Sequence, residues 1–227
     1  MQTRYLRVDP ERPEAAALEE AAGVIRNGGV VAHPTETVYG LAADVFNPAA
    51  VRRVFAAKGR PPGKALIVAV ATREDLARLV RELVPGAEAL MDAFWPGPLT
   101  LVLPRRTEVP DLVTGGGNGV AVRMPAHPVA LALIRAAGVP VTTTSANLSG
   151  RQPPVTAMEV RSQLWGRIDV LLDGGPAGSG TPSTVLDMTS PVPTLVRVGA
   201  LGPDELAAVL GRPVAAPESA AETARTP

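Results

Sequence analysis

Four stretches of the chain gather residues able to hold an anion or a small polar molecule. The first is Lys58-Gly59-Arg60-Pro61-Pro62-Gly63-Lys64, three cations in seven residues with two prolines stiffening the run. Lys58 and Lys64 are the only lysines among 22 basic residues, which suggests a use for a compact ammonium there. The run is not a Walker loop. Its Gly59–Gly63 spacing is one residue short, Ala65 stands where Ser or Thr would touch magnesium, and an apolar strand follows. Side-chain charges binding phosphate or carboxylate fit it better, with a solvated basic loop as the alternative.

The second stretch, Pro34-Thr35-Glu36-Thr37-Val38-Tyr39-Gly40-Leu41, follows a short apolar strand, and ligands of open α/β sheets sit at strand carboxyl ends. Its two threonine hydroxyls suit a small polar ligand, or a helix N-cap with a first-turn Glu. The third, Thr142-Thr143-Thr144-Ser145-Ala146-Asn147-Leu148-Ser149-Gly150, suits a ligand's phosphates or its amino and carboxyl groups, or an ordinary polar turn. The fourth runs from Asp173-Gly174-Gly175 to Gly180-Thr181-Pro182-Ser183-Thr184, where glycines permit close backbone approach. Arg123 and Arg197 are charges set in apolar strands. Each needs a partner, which bound phosphate or carboxylate would supply, or else an exposed sheet edge.

Other chemistry is excluded by composition. The 227 residues contain no Cys, so thiolate nucleophiles, disulfides and Cys-type metal sites are absent. The two histidines, His33 and His127, are far apart, each is followed by Pro, and no His-rich metal site is expected. No G-x-S-x-G elbow is present. Zero formal net charge and 3% aromatics argue against a protein built chiefly to grip nucleic acid. No apolar run reaches the ~18–20 residues of a membrane span, and no signal-peptide pattern opens the chain. A cytoplasmic protein with no membrane association is expected.

The elements that must position these stretches alternate. Helices are expected over 14–27, 47–57, from Thr72 onward, and over 86–94, 127–137, 156–164 and 203–210. Strands are expected over 30–32, 66–70, 99–103, 120–123, 139–144, 169–172, 183–188 and 194–198, the last ones paired as hairpins. This pattern predicts one α/β domain, residues 1–211, with a twisted mixed sheet and helices around a large, locally basic cavity. Residues 212–227 read as a disordered tail.

In order along residues 14–211, these segments resemble the YrdC-type threonylcarbamoyl-AMP synthase family, which also contains YciO-like relatives. The likeness rests on GGVVAHPTETVYGLAAD at 28–44, KGRP at 58–61, WPGPLTLVL at 95–103, VAVRMPAHP at 120–128, TSANLSG at 144–150, ST at 183–184 and LVRVG at 195–199. It is similar to the single-domain form. The resemblance implies a synthase joining L-threonine, bicarbonate or carbon dioxide, and ATP into threonylcarbamoyl-adenylate and pyrophosphate. Partner transferase proteins then use the adenylate to modify adenosine 37 of tRNA. It implies L-threonine on Thr35, Thr37, Arg123, Thr143 and Ser183, and ATP on Lys58, Arg60, Lys64, Ser145, Asn147 and Arg197. Magnesium would come with the phosphates, without a dedicated protein ligand. Weak tRNA or double-stranded RNA binding is a further expectation, and a YciO-like nucleotide- or RNA-binding protein without efficient synthesis is the alternative. Three departures from the family pattern stand out: Ala69 where a His is usual, Lys64-Ala65 for Asn-Pro, and Pro153 for a common Ser.

Overall fold

The computed structural model describes residues 2–61 and 63–216. In chain order it contains β1 (Arg4–Arg7), α1 (Ala15–Arg26), β2 (Val31–His33), β3 (Gly40–Ala42), α2 (Pro48–Lys58) and β4 (Ile67–Ala69). A 3-10 turn (Glu74–Arg78), α3 (Ala87–Phe94), β5 (Leu99–Pro104), α4 (Asp111–Thr114), β6 (Gly119–Arg123) and α5 (Pro128–Ala137) follow. The chain continues through β7 (Val141–Thr142), β8 (Thr144–Ser145), α6 (Ala157–Leu164), β9 (Val170–Asp173), β10 (Thr184–Asp187), β11 (Thr194–Arg197) and α7 (Pro203–Leu210).

The strands form two mixed sheets where the sequence suggested one. The orders are β1-β9-β2-β3-β8 and β11-β10-β5-β6-β4-β7. The expected strand 139–144 is divided between them. Val141 and Thr142 pair with β4 in the six-stranded sheet, whereas Thr144 and Ser145 pair with β3 in the five-stranded one. Thr143 is the crossing residue, its N–H donating to Ile67 O at 2.8 Å. A run of polar β-formers gives no local sign of such a division, because the pairing partner lies far away in sequence. β1, β3 and α4 were not expected from the sequence. The helix foreseen after Thr72 is a single 3-10 turn, although Thr72 and Asp75 do make the reciprocal backbone contacts of a capping box.

Alternation along the strands places the polar groups. In β5, Leu99, Leu101 and Leu103 enter a core shared with α3 and α7, and Thr100 and Val102 face the other way. In β6 the same rule buries Val120 and Val122 and sends Arg123 to that opposite face, beside Thr100. A second core links both sheets through Val31, Ala69, Val129, Leu133 and Val141, so the sheets are packed as one body. The expected tail is ordered in its first part. Ala215 exchanges backbone hydrogen bonds with Pro193 and Leu195 at 2.8 and 3.0 Å, and Val214 packs on the core. Residues 217–227 of that tail lie outside the described residues.

Candidate active site

The anion-binding run is set by the end of α2. Asn47 caps its start by accepting from Ala49 and Ala50 N–H, and Gly59 ends it with φ 59°, a left-handed turn that suits glycine. This turn leaves Lys58 facing inward and sends Arg60 away from it. Lys58 is 2% exposed, and its ammonium donates to Ser145 O, Asn147 O at 3.0 Å and Asn147 Oδ1 at 3.2 Å. All three N–H groups are therefore used. Burial, with Arg60 nearby, pushes Lys58 down to about 7, and the three oxygens act against that shift. Asn147 Nδ2 donates to Leu148 O and Arg151 O. Lys58 and Asn147, expected on the nucleotide, thus brace the 145–151 turn and do not line the cleft. Lys64 is exposed and also outside the lining.

The 34–39 loop is held by Thr35, whose hydroxyl accepts from Thr37 and Val38 N–H and donates to Val38 O at 2.6 Å. With its one proton spent there, Thr35 accepts from the Thr37 hydroxyl at 2.9 Å, and Thr37 in turn accepts from Arg123 Nη2 at 3.1 Å. Thr35, expected on the substrate, braces Thr37 and lies outside the cleft lining. Arg123 is 4% exposed and also donates through Nε to Gly97 O at 3.2 Å, which gives the WPGP segment its positioning role. Its charge partner is Glu36 at 2.5 Å. Sequence reading left Arg123 without an acidic neighbour because Glu36 is 87 positions away and only the fold joins them.

The glycine-rich loop runs beside this one, with Gly178, Ser179 and Gly180 N–H donating to Thr35, Glu36 and Thr37 O. A Cβ on Gly178 would stand 2.0 Å from Glu36 O, so only glycine allows this approach. The loop delivers Ser183, whose hydroxyl bonds Thr100 Oγ1 at 2.8 Å. Arg197, on the edge strand β11, curls over Ser183 and donates to its O at 2.7 and 3.0 Å and to its Oγ at 3.0 Å. Burial lowers both Arg60 and Arg197 from the ordinary guanidinium value.

These groups meet in one cleft of about 460 Å³, within the ~300–1,000 Å³ of small-molecule sites. Thr37, Arg60, Arg123, Thr143, Ser145, Ser183 and Arg197 line it, together with Thr144 and Pro153, which the sequence reading did not assign to binding. Its floor is the apolar face of the six-stranded sheet, with Ile67, Ala121, Val102 and Val185. Arg60 Nε is buried there with no acceptor, a donor left for an anion. A wider groove near α1, about 620 Å³, is a weaker candidate because its charges are already paired: Arg4–Glu20, Arg26–Glu19 and Arg53–Asp169.

A two-sheet α/β domain whose cleft joins three guanidinium groups to a row of hydroxyls has the charge and the donors to hold an anion beside a small polar group. The chain belongs to the Sua5/YciO/YrdC family, whose profile, described as "Telomere recombination", matches residues 23–199. It is 47% identical over 201 residues to the threonylcarbamoyl-AMP synthase of Pyrococcus abyssi, covering 88% of this chain and 59% of the relative. The chain thus spans about three fifths of that relative's length. The P. abyssi Sua5 structure complexed with L-threonine superposes with a TM-score of 0.91 at 46% identity, over 94% of this chain and 62% of that one. E. coli YciO gives 0.80 at 27% identity, over 88% and 97%. No helix among the described residues is long and apolar enough to cross a membrane.

Proposed function

We propose that this chain is an L-threonylcarbamoyladenylate synthase, using L-threonine, bicarbonate or carbon dioxide, and ATP. The observation that carries the reading is the single cleft in which Arg60, Ser145 and Arg197 stand beside Arg123, Thr37, Thr143 and Ser183. The names of the relatives support it, and the lower likeness to YciO does not favour the nucleotide- or RNA-binding alternative.

The threonine carboxylate pairs with Arg123, held at its working angle by Gly97 O, Thr37 and Glu36. The neutral α-amine, having released a proton, takes up carbon dioxide as a carbamate with loss of a second N–H proton to solvent, or bicarbonate with loss of water. A carbamate oxygen then attacks the α-phosphorus. The bond to the bridging oxygen breaks, and pyrophosphate leaves with the electron pair. Such a transfer needs positioning and charge neutralisation more than a protein nucleophile. Arg60 and Arg197 supply the positive charge, and the Ser145 hydroxyl a donor. Magnesium enters as part of the ATP substrate. The cleft lining has hydroxyls but no carboxylate, so the phosphates themselves fit as its ligands.

The product would pass to a transferase that modifies adenosine 37 of tRNA, in the cytoplasm. Direct binding of tRNA or double-stranded RNA would be weak, given the zero formal charge. The test is pyrophosphate release from ATP. Release that requires both threonine and bicarbonate supports the synthase, and its absence from folded protein rejects it.

A further inference from the structure

Both carboxylate oxygens of Glu36 are buried without a hydrogen-bond partner among the described residues. The side chain is 18% exposed, so its methylene stem reaches solvent and its charge does not. Its one compensation is Arg123 Nη2, 2.5 Å from Oε1. A buried ion pair stabilises a fold only where further donors satisfy the carboxylate, and Glu36 has none. Arg123 already has two neutral acceptors, Gly97 O for Nε and Thr37 Oγ1 for Nη2, so aim alone does not call for a carboxylate.

The backbone keeps Glu36 in place. Ser179 N–H donates to Glu36 O at 2.9 Å, and a Cβ on Gly178 would stand 2.0 Å from that same oxygen. The fold thus presses a desolvated anion against the guanidinium that lines the cleft. One nitrogen of that guanidinium is left over. Nη1 makes no bond to the described residues and is not among the buried unpaired atoms, so it is the donor open to a ligand.

We infer that Glu36 is a rival of the substrate carboxylate, limiting how tightly Arg123 holds L-threonine so that the product can leave. It touches no reactant and acts through Arg123, as a positioning residue. The role rests on the synthase reading proposed above, in which Arg123 takes that carboxylate. Bonds change at the amine and at phosphorus, and the carboxylate passes from substrate to adenylate unaltered. Whatever Arg123 gives the substrate it therefore gives the product as well. Such uniform binding lowers KM without raising kcat, and past saturation it only slows release.

Glu36→Gln, which keeps length and shape and removes the charge, tests this. Calorimetry with L-threonine alone should show Kd falling at least about fivefold. That factor is about 1 kcal/mol, the cost of two like charges ~4 Å apart even at the dielectric of water. L-Threoninol, which keeps the ammonium and lacks the carboxylate, should gain nothing. In steady state the KM for threonine and kcat should both fall several-fold, with the KM for ATP within about twofold. A merely structural role predicts the opposite sign, a looser site and a higher KM. Glu36→Ala should also tighten threonine, so either variant, once a thermal melt shows it folded, carries the test. Threonine binding that is unchanged or weaker, or an equal gain for threoninol, overturns the inference. Absence of threonine-dependent pyrophosphate release by wild type defeats the synthase reading instead.

Discussion

Replacing Lys58 by Met separates a brace from a substrate contact. The substitution keeps the buried stem and deletes the ammonium, leaving Ser145 O, Asn147 O and Asn147 Oδ1 without their donor. Each buried acceptor so stranded costs about 1–3 kcal/mol, and removing a desolvated cation returns part of that sum. A net loss of about 2 kcal/mol is expected, which for a domain of this size lowers Tm by about 4–8 °C. The turn that carries Ser145 loosens with it, and kcat/KM for ATP should fall at least about tenfold. The pH dependence adds a second signature. With Lys58 lowered to about 7 in the fold and at 10.5 unfolded, the unfolded chain binds more protons between those values. Wild-type stability therefore rises with pH from about 7 to 10.5, with an upper slope of about 1.4 kcal/mol per pH unit, and Lys58→Met lacks that rise. Thermal melts of both proteins from pH 6.5 to 9.5, beside ATP titrations, measure it. A variant that melts like wild type at every pH yet binds ATP poorly would mean that Lys58 touches phosphate, and the bracing argument would be wrong.

Arg60 gives the complementary case. Its guanidinium donates to Ala65 O at 2.8 Å and is otherwise turned to the cleft, so Arg60→Ala should raise the KM for ATP at least about tenfold, from a charge-assisted contact worth about 1.5–3 kcal/mol, with Tm nearly unchanged. Gly178→Ala meets Glu36 O at 2.0 Å and should displace the Thr37–Arg123 end, so the KM for threonine rises more than that for ATP; equal effects on both would refute this. Acid should destabilise the fold through His33. Its value falls from 6.5 unfolded to about 4 in the fold, with Arg123 and His127 as the charged groups facing it, so stability drops as pH falls from about 6.5 to 4. The total is about 3 kcal/mol, and an acid titration of stability in His33→Phe should lack that component.

Much of the architecture was readable because helix caps and apolar strands are local signals. α5 ends at Ala137 as the sequence reading had it, α2 runs one residue past the expected 57, and Leu99–Leu103 declares its buried face by alternation. The division of 141–145 between two sheets was not readable, since it depends on partners far upstream in sequence, Gly40 and Leu41 in β3 and Val68 and Ala69 in β4. The same limit applies to the site. Residue types marked segments that the fold brings together, and Arg60, Ser145 and Arg197 share one cleft. Type alone did not tell which hydroxyl or cation faces outward. Lys58 and Thr35 look like binding groups in sequence, and their roles as supports appear only when every proton they own is traced to an acceptor. Glu36 was missed as the partner of Arg123 for want of any sequence proximity.

The crossing at Thr143 has a mechanical consequence. Thr143 and Ser145 are two residues apart, and a backbone of that length reaches at most ~7 Å. On the proposed assignment, the amino-acid half and the phosphate half of the pocket are mounted on one short tether whose ends are riveted to different sheets. Any movement that parted Thr143 from Ser145 would have to stretch that tether or unfasten a sheet, so under the proposed function the spacing between the two reactants would be set during folding, before either one arrives.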